Sequence, residues 1–135
     1  MMTTEITPGQ LADAMPFARA LGLEIDTAGP EEVTGRLAWD PDRCTAGGVM
    51  HGGALMALAD TLGAACAFLN LQPGTSTTTL ESKTNFFRAV RSGHVNAVAR
   101  PLHVGRTSIV VQTDLHDADG KRIAQVTQTQ AVLRP

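Results

Sequence analysis

Hydrophobic positions along the chain follow two distinct periods. Leu21, Leu23 and Ile25 alternate with polar residues, and so do Val33, Gly35, Leu37 and Trp39. That two-residue period predicts strands with one buried face. From Gly52 to Leu69 the alternation stops, and nearly every side chain is apolar or very small. An unbroken run of that length predicts one long helix, within residues 51–71. After the turn "QPG", four further β-like runs follow: 75–87, 95–104, 107–116 and 122–133. Asp119-Gly120 between the last two is a hairpin signal. Ahead of the first strands, Thr7-Pro8 reads as an N-cap with proline at the first helical position, Pro16 restarts the helix, and Gly22 stops it.

The order is a short helical start, two strands, one apolar helix and four strands. It predicts an α+β layer with one helix against a largely antiparallel sheet. Residues 1–135 form a single domain in this reading, with residues 1–15 as an N-terminal extension or helix. A helix that is apolar nearly all round needs cover on every side. One curved sheet covers most of it, and a second copy of the chain is the simplest cover for the rest.

Composition narrows the class. The 135 residues are 43% hydrophobic with a net charge of −2, enough for one core and unsuited to nucleic acid as a default partner. Residues 81–106 depart from that balance, with Lys83, Arg88, Arg91, Arg100 and Arg106 against Glu81 alone. Such an excess suits an anionic small molecule or, equally, a solvated face. Cys44 and Cys66 lack metal spacing and read as buried thiols of a reducing compartment. No secretion signal is visible in "MMTTEITPGQ", so a cytoplasmic location is expected. The central charge of Asp60 and the Ala/Gly content argue that 52–71 is a core helix and not a membrane span.

Asp60 is the one charged residue of the apolar run. A buried carboxylate must be paired, or its pKa rises. Backbone amides or an arginine would satisfy it structurally; a general base or nucleophile in a dry pocket is the functional alternative. Met56, Ala57, Gly63 and Ala64 are expected on its face, leaving open volume beside the acid. "GGVMHGG" brings glycines to the helix N-terminus, where free N–H groups suit a developing oxyanion. Gly52 and Asp60 are about 12 Å apart along a helix. If both serve one carbonyl, two antiparallel helices from two protomers are required.

"GGVMHGGALMALADTLGA" resembles the signature of hotdog-fold acyl-CoA thioesterases, nearest to the phenylacetate-degradation and 4-hydroxybenzoyl-CoA thioesterase-like members. "PLHVGRTSIVVQTDLHDADGKRIAQVTQTQAVL" resembles the same family's final strands. The resemblance covers roughly residues 16–133. It implies a hotdog fold, with the sheet wrapped around the long helix. It also implies hydrolysis of an acyl-CoA thioester, with an aromatic or medium-chain acyl group. Asp60 then matches the catalytic carboxylate, Gly52 the amide donor to the carbonyl oxygen, and His51 with Gly53 the shaping loop. Homodimers pairing into homotetramers are implied, with sites across the dimer interface. Coenzyme A enters as part of the substrate, with no other cofactor and no metal. Arg88, Arg91 and Arg106 are candidates for its phosphates, and Gly105 for close approach of the pantetheine arm. Two positions depart from the pattern. Thr45 stands where relatives often carry Asn or Gln, and Ala64 where they often carry Ser or Thr. Thr78 or Thr79 of a neighbouring chain is the expected substitute hydroxyl. A non-catalytic acyl-CoA-binding protein stays open as the alternative, and a hydratase is disfavoured by the His51–Asp60 order.

Overall fold

A computed structural model describes residues 6–135; residues 1–5 of the expected N-terminal extension lie outside it. Thr7 caps α1 (Pro8–Asp13) through a reciprocal box. Its hydroxyl accepts from the Gln10 N–H at 3.1 Å, and the Gln10 side chain accepts from the Thr7 N–H at 2.9 Å. Helix α2 (Pro16–Leu21) ends at Gly22, whose φ of +85° is left-handed and open chiefly to glycine. The Arg43 guanidinium lies against that turn and donates to the Leu21 carbonyl at 2.7 Å and the Ala38 carbonyl at 3.2 Å. This ties α2 to the loop that precedes the long helix.

Strands β1 (Glu24–Ala28), β2 (Val33–Ala38), β3 (Ser76–Phe86), β4 (His94–Val104), β5 (Ser108–Asp117) and β6 (Arg122–Leu133) form one antiparallel sheet in the order β1-β2-β4-β5-β6-β3. The alternating sequence explains it. Leu37, Val95, Val111, Leu115 and Val126 fall on one face and are fully or almost fully buried. Against this face lies α3 (Gly52–Leu69), which inserts Leu58 and Leu62 with no exposure. Each of these leucines contributes about 1.5–3 kcal/mol of burial. The fold is the expected hotdog arrangement of one long helix cradled by an antiparallel sheet.

The sheet covers one side of α3 and leaves Met56 and Phe68 on the other 42% and 53% exposed. One expectation fails on this helix. Gly63 leaves no open volume beside Asp60. It faces the sheet, where the fully buried Gln128 side chain fills the space a Cβ would need. Cys66 is buried as expected, and its thiol is pushed up to about 11 by burial. Cys44 is only half-buried and donates to the Asp40 carbonyl at 3.3 Å.

Candidate active site

The loop before α3 is built to hold the helix start. Cys44 bridges Met50, the Thr45 N–H donates to the Val49 carbonyl at 2.8 Å, and the His51 N–H donates to the Arg43 carbonyl at 2.8 Å. His51 is the N-cap, and its Nδ1 accepts from the Gly53 N–H at 2.7 Å. Its carbonyl accepts from Ala54 at 2.9 Å and Leu55 at 3.3 Å. Gly53 therefore has its donor occupied. The Gly52 N–H is left as the one first-turn donor with no partner among the described residues. Phe86 lies beside it: a methyl added at Gly52 would sit 3.3 Å from the ring Cζ.

Asp60 emerges two turns further along, on the face shared with Met56, Ala57, Ala64 and Phe68. It is exposed within its own chain, not buried in it as the apolar run suggested. The sheet side of the helix takes up Leu58, Ala59, Leu62 and Gly63, and leaves the acid pointing outward. Among the described residues it makes no hydrogen bond or ion pair. With apolar neighbours and no donor to compensate, desolvation pushes its carboxyl above the ordinary value.

Strand β3 supplies a polar wall that the sequence pattern hides. Register places Thr77, Thr79, Ser82 and Thr84 beside Val132, Gln130, Gln128 and Val126 of β6, on the helix side of the sheet. The Thr77 hydroxyl donates to Gln130 Oε1 at 3.0 Å, and Gln130 Nε2 donates to the Thr79 hydroxyl at 2.7 Å. Both glutamines, like Phe86, were absent from the expected site. The signal available was polar residues recurring at period two on an otherwise apolar face of 122–133. Thr45 is exposed, and its hydroxyl has no partner among the described residues.

The arginines fall into separate places. The Arg88 N–H donates to the Ile123 carbonyl at the start of β6, whereas Val132 near its end bonds Thr107, next to Arg106. Nine residues of strand, about 30 Å, separate those points. Arg88 joins Phe87, Lys121 and Arg122 in a shallow basic depression. Gly105 and Arg106 join Asn70, Leu71, Ile109 and Arg134 in a cleft of roughly 290 Å³, where Arg134 Nη2 donates to the Arg106 carbonyl at 2.8 Å. Arg91 is exposed and lines neither. One chain therefore does not bring these arginines together.

Comparison with known proteins gives the family. The Thioesterase superfamily model matches residues 47–124, which include the His51 loop, α3 and the start of β6. The structure of thioesterase HI1161 from Haemophilus influenzae superposes with a TM-score of 0.91 at 30% identity, covering 97% of this chain and 93% of that one. The proofreading thioesterase EntH of Cronobacter turicensis is 32% identical over 84% of this chain and 82% of its own length. The 1,4-dihydroxy-2-naphthoyl-CoA hydrolase of Escherichia coli is 33% identical over 64% of this chain and 63% of its own length. With more than half of its length matched by the family model and its whole fold superposed on a solved thioesterase, the chain belongs to the thioesterase superfamily and is a thioester hydrolase.

Proposed function

We propose that the chain hydrolyses an acyl-CoA thioester, aromatic or medium-chain in its acyl part, at a site shared by two protomers. The observation that carries this is the presence on one helix of a free N–H at Gly52 and an exposed, uncompensated carboxylate at Asp60. A donor of that kind suits the oxyanion that forms when the thioester carbonyl is attacked. The carboxylate takes the proton of the attacking water and passes it to the departing sulfur, or attacks the carbonyl itself to form an anhydride that water then hydrolyses while the thiolate takes its proton from solvent; by either route the C–S bond breaks and CoA leaves as the thiol. The coenzyme A ester of the naphthoate hydrolase favours a CoA substrate.

Separation along α3 prevents one chain from serving one carbonyl with both groups. Gly52 and Asp60 are eight residues apart, about 12 Å along the axis. A second protomer fits the uncovered surfaces. Met56 and Phe68 flank Asp60 on α3, and β3 is an eleven-residue edge strand exposed on both faces, with Leu80 67% exposed. Unpaired edges invite pairing with another strand. Antiparallel pairing of two β3 edges lays the Arg88 end of one chain beside the Ser76 end of the other, where Arg106 and Arg134 stand. The two basic regions then flank one CoA, and Thr79 of one chain faces the helix of its partner, where Ala64 offers no hydroxyl.

Kinetics on benzoyl-CoA and a panel of other acyl-CoAs test the reading. Asp60→Asn and Asp60→Ala are expected to lower kcat by about 10²-fold or more, the usual size of a general-base contribution. Near wild-type hydrolysis in both would remove Asp60 from the mechanism. One observation favours a non-catalytic acyl-CoA binder instead: Thr45 offers no amide and Ala64 no hydroxyl. Tight acyl-CoA binding by the wild type without any thiol release would establish that alternative.

A further inference from the structure

We infer that Gln130 is a positioning residue that fixes the direction of the Thr79 hydroxyl and turns it into a one-way donor toward the reaction site. The inference rests on the thioester-hydrolase reading above and adds a part to it. Gln130 on β6 stands beside Thr79 on β3 in register, and only 1% of it is exposed. A buried primary amide has to be paired, and here its two ends are paired differently. The Thr77 hydroxyl donates to Oε1 at 3.0 Å, which can only accept. With Oε1 turned to Thr77, the amide presents its other end to Thr79. The end presented is Nε2, which can only donate, and it reaches the Thr79 oxygen at 2.7 Å.

The consequence is directional. The Thr79 oxygen accepts from Gln130, and among the described residues its single hydrogen has no acceptor on the sheet, which leaves it free to turn outward. Thr79 is exposed, and its strand is the open edge of the sheet, so the hydrogen faces the space a partner's helix would enter. A hydroxyl that accepts one hydrogen bond is polarised to donate a stronger one. It can hold the oxygen of the attacking water by one lone pair while Asp60 of the partner takes the proton and the other lone pair meets the carbonyl. The neighbouring glutamine shows that this is particular to position 130. Gln128 is two residues earlier on the same face and fully buried, yet it faces Ser82 and Gly63 and has no hydrogen-bond partner among the described residues.

The test is steady-state thiol release from benzoyl-CoA by the full chain and its Gln130→Leu, Thr79→Val, Thr79→Ser and double Gln130→Leu/Thr79→Val variants. Gln130→Leu and Thr79→Val should each lower kcat by about tenfold, the size of one ordinary hydrogen bond. KM should stay within about twofold, Thr79→Ser should keep its rate, and the double variant should lose no more than Thr79→Val alone. Full kcat in Gln130→Leu, or losses that multiply in the double variant, would overturn the inference. Should Gln130→Leu fail to fold, Thr77→Val decides, because it frees the amide to turn over without touching Gln130 or Thr79. A reduced kcat at an unchanged melting temperature supports the relay, and wild-type kcat overturns it. Loss of activity in Asp60→Asn with full rate in these variants removes only the relay. A wild type that releases no thiol removes the proposed function and the relay together.

Discussion

At the scale of single residues, Asp60 as the proposed base is expected to set how the protein responds to pH. Its carboxyl is raised by desolvation with no compensating donor. A base works only when ionised, so kcat/KM should fall with falling pH, with an acid limb centred above the ordinary aspartate value. A pH–rate profile checks this; a limb at or below the ordinary value would contradict it. Stability runs the other way. The folded chain holds the Asp60 proton more tightly than the unfolded chain does. The native state therefore loses stability as pH rises from the unfolded pKa through the raised folded one. Asp60→Asn should consequently melt higher than the wild type at neutral pH, with the gap closing below the ordinary aspartate range. Thermal melts of both chains across that window measure it. A variant that is less active yet more stable marks a residue kept for function at the expense of stability.

At the scale of elements, β3 and the outer face of α3 are built unlike the rest of the sheet. Strands β4, β5 and β6 alternate buried and partly exposed residues over most of their length, whereas β3 is exposed along almost all of it. A bulge between Thr79 and Glu81 pushes Leu80 out. Leu80→Arg should leave the chain folded, because the side chain has no core contacts to lose, and should shift sedimentation to the monomer with activity falling in step. A monomer of full activity would show that the site needs no partner. The helix and five of the six strands were legible in the sequence to within about two residues, because period two and a long apolar run record which face is buried; the first strand was read three residues early, since Leu21 closes α2 and β1 runs Glu24–Ala28. The burial of Asp60 was not legible. An apolar run suits cover by the chain's own sheet and cover by another chain alike, and does not distinguish the two. Gly63 misled for a related reason: a missing side chain records close approach, here of Gln128, as readily as open space.

At the scale of the whole molecule, the candidate site was legible where chemistry is local and hidden where it is assembled. His51, Gly52 and Asp60 sit in one contiguous motif, and the cap that occupies Gly53 while leaving Gly52 free follows from helix geometry alone. The hydrogen bonds of Thr77 and Thr79 to Gln130 join residues more than fifty positions apart, and only strand register brings them together. Whether Gly52 and Asp60 of different chains share a carbonyl can be settled by mixing. Gly52→Pro is the clean partner for Asp60→Asn. Position 52 is the first residue of the helix, where proline is favoured, and the N–H it removes is one that no other group uses. The added ring needs a slight yield from Phe86, which is itself half exposed. Each variant alone should be nearly inactive. After unfolding and refolding as an equal mixture, about half of the dimers hold one chain of each kind. In such a dimer one site carries both defects and the other carries none, because the proline chain contributes its intact Asp60 and the asparagine chain its intact Gly52. Activity should therefore return to about a quarter of the wild-type level. If each chain worked alone, every site in the mixture would still carry one defect, and nothing would return.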